Sequence, residues 1–100
     1  LSLFVFEKNS QVKNNYSALA QIGGEDGVYR LLLESCSNSL CQPFSSGSVI
    51  IENGQSNILE LKGNIANLNT SKINLIIFEG KSGVIPIPFA KSEQEVSLSP

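Results

Sequence analysis

The chain has no histidine, no tryptophan, no methionine and a single aspartate, Asp26. Each absence removes a class of chemistry. Without histidine there is no nucleophilic catalysis of the Ser-His type. Two cysteines, Cys36 and Cys41, leave a zinc site two ligands short of its usual four. One aspartate does not furnish an acidic calcium loop. Basic residues are few: seven Lys and Arg against nine Asp and Glu give a net charge of −2. They are scattered, and no basic stripe tracks a phosphate backbone, so nucleic acid is not an expected partner. Long apolar runs are missing too. The longest, Ile73 to Phe78, is broken by Asn74 and is far too short to span a bilayer. No segment of ten residues keeps a helical period, and no internal repeat is visible.

What is present points to β-structure. One hundred residues make one domain, expected to bury roughly two-thirds of its unfolded surface. Hydrophobic residues make up 41% and charged residues 16%, which is not a disordered composition. Ser and Asn supply much of the polar surface, a bias that suits strands and turns better than helices. The core must be built from Leu, Ile, Val, Phe and Tyr. Any export signal is expected to have been removed ahead of Leu1.

Short apolar runs separated by turn residues recur along the chain. Leu3 to Phe6 is β-rich and ends at Glu7-Lys8; Asn9 to Asn15 reads as a loop. Tyr16, Ala18, Ala20 and Ile22 alternate before a glycine-rich stretch whose Asp26-Gly27 step marks a turn. Val28 to Ser35 places Tyr29, Leu31 and Leu33 on one face, with Arg30 and Glu34 on the other. After the cysteine loop, Gln42 to Gly47 leads to Val49-Ile50-Ile51. Asn53-Gly54 then predicts a tight hairpin to Ile58, Leu59 and Leu61, because both residues tolerate positive φ. Gly63 to Ser71 is a longer connection that can hold one helical turn at most, with Ile65 and Leu68 tucked inward. Ile73 to Glu79 is a dense strand, and Gly80 to Gly83 turns it into Val84 to Phe89. Pro86 and Pro88 assign that last run to a sheet edge. Lys91 to Pro100 is expected to fray. About seven short antiparallel strands at this spacing predict an immunoglobulin-like β-sandwich.

Cys36 and Cys41 flank Ser37-Asn38-Ser39-Leu40, which sets them opposite each other across a hairpin. Opposed, non-hydrogen-bonded strand positions bring Cα atoms to about 4.5 Å, at the short end of the disulfide range. Closing so small a loop contributes roughly 2 kcal/mol. A structural disulfide is the first reading and two unrelated reduced thiols the second. A redox centre would need a C-x-x-C-like geometry at a helix N-terminus, which the sequence does not supply.

Other constellations have plain readings. Glu25-Asp26 in a Gly-flanked turn is expected to be solvated. Gly23, Gly24 and Gly27 do not precede a helix and are turn glycines, not a phosphate cradle. Asn15-Tyr16-Ser17 and Asn69-Thr70-Ser71 match the glycosylation pattern, as chance would also produce in so Asn- and Ser-rich a chain. The Ile73–Phe78 run has aggregation-prone character, with Lys72, Glu79 and Lys81 as flanking gatekeepers. If Ile76 and Phe78 were exposed they would mark a docking patch.

The order Gly27-Val28-Tyr29-Arg30-Leu31-Leu32-Leu33, a small-residue loop with cysteines, Gln42 to Gly47 leading to Val49-Ile50, Ile58-Leu59-Glu60-Leu61 and Lys72 to Ile77 resembles the curli assembly proteins of the CsgC/CsgH type. The similarity covers roughly residues 16 to 90. Members are small periplasmic immunoglobulin-like domains that keep an amyloid subunit from polymerising early. The resemblance implies a periplasmic, non-enzymatic, monomeric chaperone-like protein without cofactor or metal, whose transient partner is a curli-type amyloid subunit. The family's cysteines lie in a C-x-C arrangement and these in C-x4-C, so a redox role does not carry over. Arg30 and Lys62, which alternate away from apolar neighbours, are the candidate client contacts. The competing expectation is a structural or adhesive module of a larger secreted or fimbrial protein.

Overall fold

Burial alternates residue by residue along the chain, and that alternation builds the fold. The computed structural model describes residues 2–80 and 87–98, with side chains over 4–80 and 90–98. The strands are β1 (Ser2–Lys8), β2 (Asn15–Ile22), β3 (Gly27–Ser37), β4 (Leu40–Ile51), β5 (Asn57–Asn64), β6 (Lys72–Gly80) and β7 (Ile87–Glu95). They form two antiparallel sheets, one ordered β1-β2-β5 and the other β4-β3-β6-β7. No helix occurs among the described residues. The protein is an all-β, immunoglobulin-like sandwich whose fourth strand lies beside the third, on the larger sheet.

The sheets meet through their inward rows. Ala18, Ala20 and Ile22 of β2 pack with Tyr29, Leu31 and Leu33 of β3 and with Leu75 and Ile77 of β6. Val49 and Ile51 of β4 and Leu61 of β5 complete that cluster. The two alanines are cross-strand neighbours of Phe6 and Phe4, so small residues sit beside large ones on the same face. Burial of each Leu or Ile here contributes about 1.5–3 kcal/mol. A second cluster closes one end around Tyr16, Ile65 and Ile73, with Val96 and Leu98 packed against it.

Four expectations need correction or limits. Asn53 (φ 57°) and Gly54 (φ 69°) do form the tight turn, closed by Gln55 N–H donating to Glu52 O at 3.1 Å. The strands it joins belong to different sheets, however, so the turn crosses the sandwich and makes no hairpin. Turn chemistry fixes four residues; it does not choose the sheet that the next strand joins. Second, the strand expected around Val49–Ile51 is longer: β4 starts at Leu40 and takes in Gln42 to Gly47. It accommodates Pro43 and Ser45 through a register shift opposite Leu33 and Glu34. Third, Lys91–Glu95 continues β7 against β6, and Val96 N–H donates to Ser71 O at 3.0 Å, so this part of the tail does not fray. Fourth, the connection from β5 to β6 holds a turn at Asn67–Thr70, and its Leu68 is exposed at 52% where Ile65 is buried.

The dense strand, β6, is central in its sheet, and β7 is an edge strand, as its proline requires. The Lys81–Gly83 turn, gatekeeper Lys81 and the Val84–Pro86 start of the last run lie outside the described residues.

Candidate functional site

The outer face of the four-stranded sheet carries the most chemistry. Because Tyr29, Leu31 and Leu33 point into the core, Val28, Arg30, Leu32, Glu34 and Cys36 point outward. Register places Ser48, Arg30 and Phe78 in one cross-strand row and Ser46, Leu32, Ile76 and Lys91 in the next. Glu34, Asn74 and Glu93 form a third row, and Cys41, Cys36, Lys72 and Glu95 a fourth.

The first two rows enclose an open groove of about 550 Å³, lined by Arg30, Leu32, Phe78, Ser46, Gly47 and Ser48. Leu32, Ile76 and Phe78 are half-buried, Arg30 is exposed, and Ile50 and Val28 at the groove's end are 54% and 43% exposed. The conditional docking patch is thus partly realised: Ile76 and Phe78 face outward but are not fully open.

Beside the groove runs β4, which among the described residues has a sheet partner on one side only. Asn57 Nδ2 donates to Ile50 O at 3.2 Å from the other side. The two-residue alternation that sends Ile50 O to that edge sends the amide and carbonyl groups of Ser48 and Ser46 there too. Ser45 to Ile51 carries no charge and no proline. Uncharged, proline-free edges are the ones that accept another strand.

At the other end of the face, Cys36 and Cys41 form a disulfide with Cα atoms 4.0 Å apart, directly opposed across a two-residue Asn38-Ser39 turn. Asn38 takes φ 57°, which asparagine tolerates. Asn74, only 1% exposed, donates through Nδ2 to Glu34 Oε1 at 3.0 Å and to Cys36 Sγ at 3.2 Å, with Cys41 Sγ at 3.9 Å. Its Oδ1 is buried and has no hydrogen-bond partner among the described residues. Such an orphan costs about 1–3 kcal/mol. Glu93 lies alongside, 3.3 Å from Lys91 Nζ and 3.6 Å from Lys72 Nζ. The hydrogen bond from Lys91, then the charge of Lys72, hold its carboxyl below the ordinary value of 4.5.

Of the two basic residues expected to make one contact face, only Arg30 belongs here. Lys62 is exposed on β5, beside inward-facing Leu61, and therefore projects from the opposite outer face, that of the three-stranded sheet. The structure does not bring the pair together. It does bring Glu34 and Asn74 to the cysteines, which sequence reasoning missed. Asn74 was visible as a polar break in an apolar run, but the register joining it to Glu34 required the sheet. The chain matches no protein-family model, and neither a curated protein nor a solved structure matches it significantly.

Proposed function

We propose that this chain is a non-enzymatic, exported, chaperone-like sandwich that holds an extended amyloid-forming client of the curli-subunit kind and delays its polymerisation. The observation that supports it is the free, uncharged edge of β4 running beside the Arg30–Leu32–Phe78 groove. A client strand laid against Ser45–Ile51 hydrogen-bonds the backbones of Ser46 and Ser48, while the groove accepts one apolar side chain. Pairing with that client edge removes the template on which the next subunit would add. Arg30 adds charge selection towards acidic or polar clients. A Cys36–Cys41 disulfide fits the oxidising periplasm that such a role needs. The protein acts as a monomer, without cofactor.

The experiment is a fibrillation assay on curli-type subunit with the protein at substoichiometric ratio. A lengthened lag is expected. Ser48→Pro removes a free-edge N–H that no ladder uses, and should abolish the effect while circular dichroism stays unchanged. An unchanged lag with the native chain would defeat the proposal and leave a structural or adhesive module as the better reading.

A further inference from the structure

Among the described residues, one group of three side chains brings metal-ligating atoms together. A Glu34 carboxylate oxygen and the Sγ atoms of Cys36 and Cys41 lie within 4.8 Å of one another. They come from β3 and β4, and β6 adds the Asn74 amide at 3.0 Å from Glu34 and 3.2 Å from Cys36 Sγ. We propose that reduction of Cys36–Cys41 turns this corner into a Zn²⁺ site, with the two thiolates, the Glu34 carboxylate and the Asn74 side-chain oxygen as its four ligands.

Three observations carry the proposal. First, three of the four donors are established zinc ligands: two soft thiolates and a carboxylate, with the Asn74 amide oxygen to complete a tetrahedron. Second, the spacing is close to what is needed. Metal–ligand bonds of about 2.0–2.3 Å in a tetrahedron set donors roughly 3.3–3.8 Å apart. Asn74 Nδ2, whose place the amide oxygen would take, stands 3.0, 3.2 and 3.9 Å from Glu34 Oε1 and the two sulfurs. The carboxylate oxygen and both sulfurs lie within 4.8 Å of one another, so reduction has only to let the sulfur pair open and the carboxylate close in. Third, Asn74 Oδ1 is a buried acceptor without a partner among the described residues. In the oxidised protein its Nδ2 faces a carboxylate and sulfur, where a donor belongs. A half-turn of the amide puts the oxygen in that place, where a cation requires an acceptor. The orphaned oxygen of the oxidised form becomes the fourth ligand of the reduced one. Lys72, in register with Cys36, offsets part of the negative charge gathered there.

The chemistry balances with a dithiol as reductant. It supplies two electrons and two protons, closes to its own disulfide, and leaves Cys36 and Cys41 as thiols. Zn²⁺ then displaces both thiol protons to solvent as the two Zn–S bonds form. The hairpin exchanges one staple for another and stays pinned when the disulfide is lost.

The test uses the whole chain, reduced with a dithiol and desalted without oxygen. Titration with Co²⁺ as a spectroscopic stand-in should give thiolate charge-transfer bands and tetrahedral d–d absorption at one equivalent, reversed by Zn²⁺. The oxidised chain should give neither, and zinc binding should release two protons per ion. Glu34→Gln should weaken binding by about tenfold or more, since even outer-shell partners of a metal contribute about 10–100-fold. Thiol capture by an unfolded chain would be indifferent to Glu34→Gln. Equal affinity in that variant, or an octahedral cobalt spectrum from the native reduced chain, overturns the proposal.

Discussion

Single residues hold the ends of this sandwich together. Asp26, expected to be merely solvated in its turn, uses both carboxylate oxygens on another loop: Asn53 N–H donates to Oδ2 at 3.0 Å and Gly54 N–H to Oδ1 at 2.8 Å. The crossing turn between the sheets is thus anchored by the chain's single aspartate. Asp26→Ala should cost about 1–2 kcal/mol in urea unfolding, and Asp26→Asn, which keeps one acceptor, visibly less. Tyr29 works nearby. It is buried, and its hydroxyl donates to Glu25 O at 2.7 Å. Burial, and then the charges of Glu79, Glu25 and Asp26, push its phenol above the ordinary value of 10.0. The folded chain therefore keeps a proton that the unfolded chain has lost. Stability from this group is complete below about pH 10 and falls as pH rises through the folded-state value. Tyr29→Phe should lose about 1 kcal/mol at neutral pH yet show a shallower decline above pH 10 in chemical denaturation.

Elements meet most tightly where the edge of one sheet passes over the edge of the other. A Cβ built on Gly63 of β5 would lie 3.0 Å from Phe44 Cδ2 and 3.1 Å from the Phe44 carbonyl oxygen. The ring can shift, but the backbone oxygen belongs to β4 at its register irregularity and cannot retreat cheaply. Gly63→Ala is expected to cost about 1–3 kcal/mol, read as a lower urea midpoint at unchanged slope. Gly47 poses a milder case, since its virtual Cβ meets only the flexible ends of Leu59 and Leu61 at 3.0 Å. The same closeness explains why β5 is not a hairpin partner of β4. Leu59 and Leu61 pair in register with Ala20 and Ala18 of β2 and fill the space that those small residues leave.

At the scale of the whole molecule, protection should follow position in the sheets. Amides of Leu33 in β3 and Leu75 in β6, flanked by strands on both sides, should exchange with solvent slowest. Ser46 and Ser48 amides at the free edge should exchange faster by orders of magnitude. Hydrogen exchange of the isolated protein checks this directly. Slow exchange at those two serines would mean that the edge is already covered, as in an edge-to-edge dimer, and would remove the surface offered to a client. Added client should slow them selectively. Much of this architecture is legible in the sequence. The alternations Tyr16–Ile22 and Tyr29–Leu33, the dense Ile73–Phe78 strand and the cysteine hairpin all occupy their expected places. The start of β4 is not legible, because Pro43 and the serines lack β-propensity and are held by pairing with β3. The outward cluster around Asn74 is also hidden, since its members are 38 and 40 residues apart along the chain.

What the sequence determined alone is what local sterics and period-two hydrophobicity determine: strands, turns, inward faces and a disulfide across a short loop. Positive φ at Asn53 and Gly54, for example, follows from their side chains wherever the flanking strands go. Tertiary structure decided which edges meet. It sent β5 to β2 instead of β4, put Arg30 and Lys62 on opposite outer faces, and set Glu34, Cys36, Cys41 and Asn74 against one another. The reason is that pairing is settled by burial summed over whole faces, a quantity that no single segment contains.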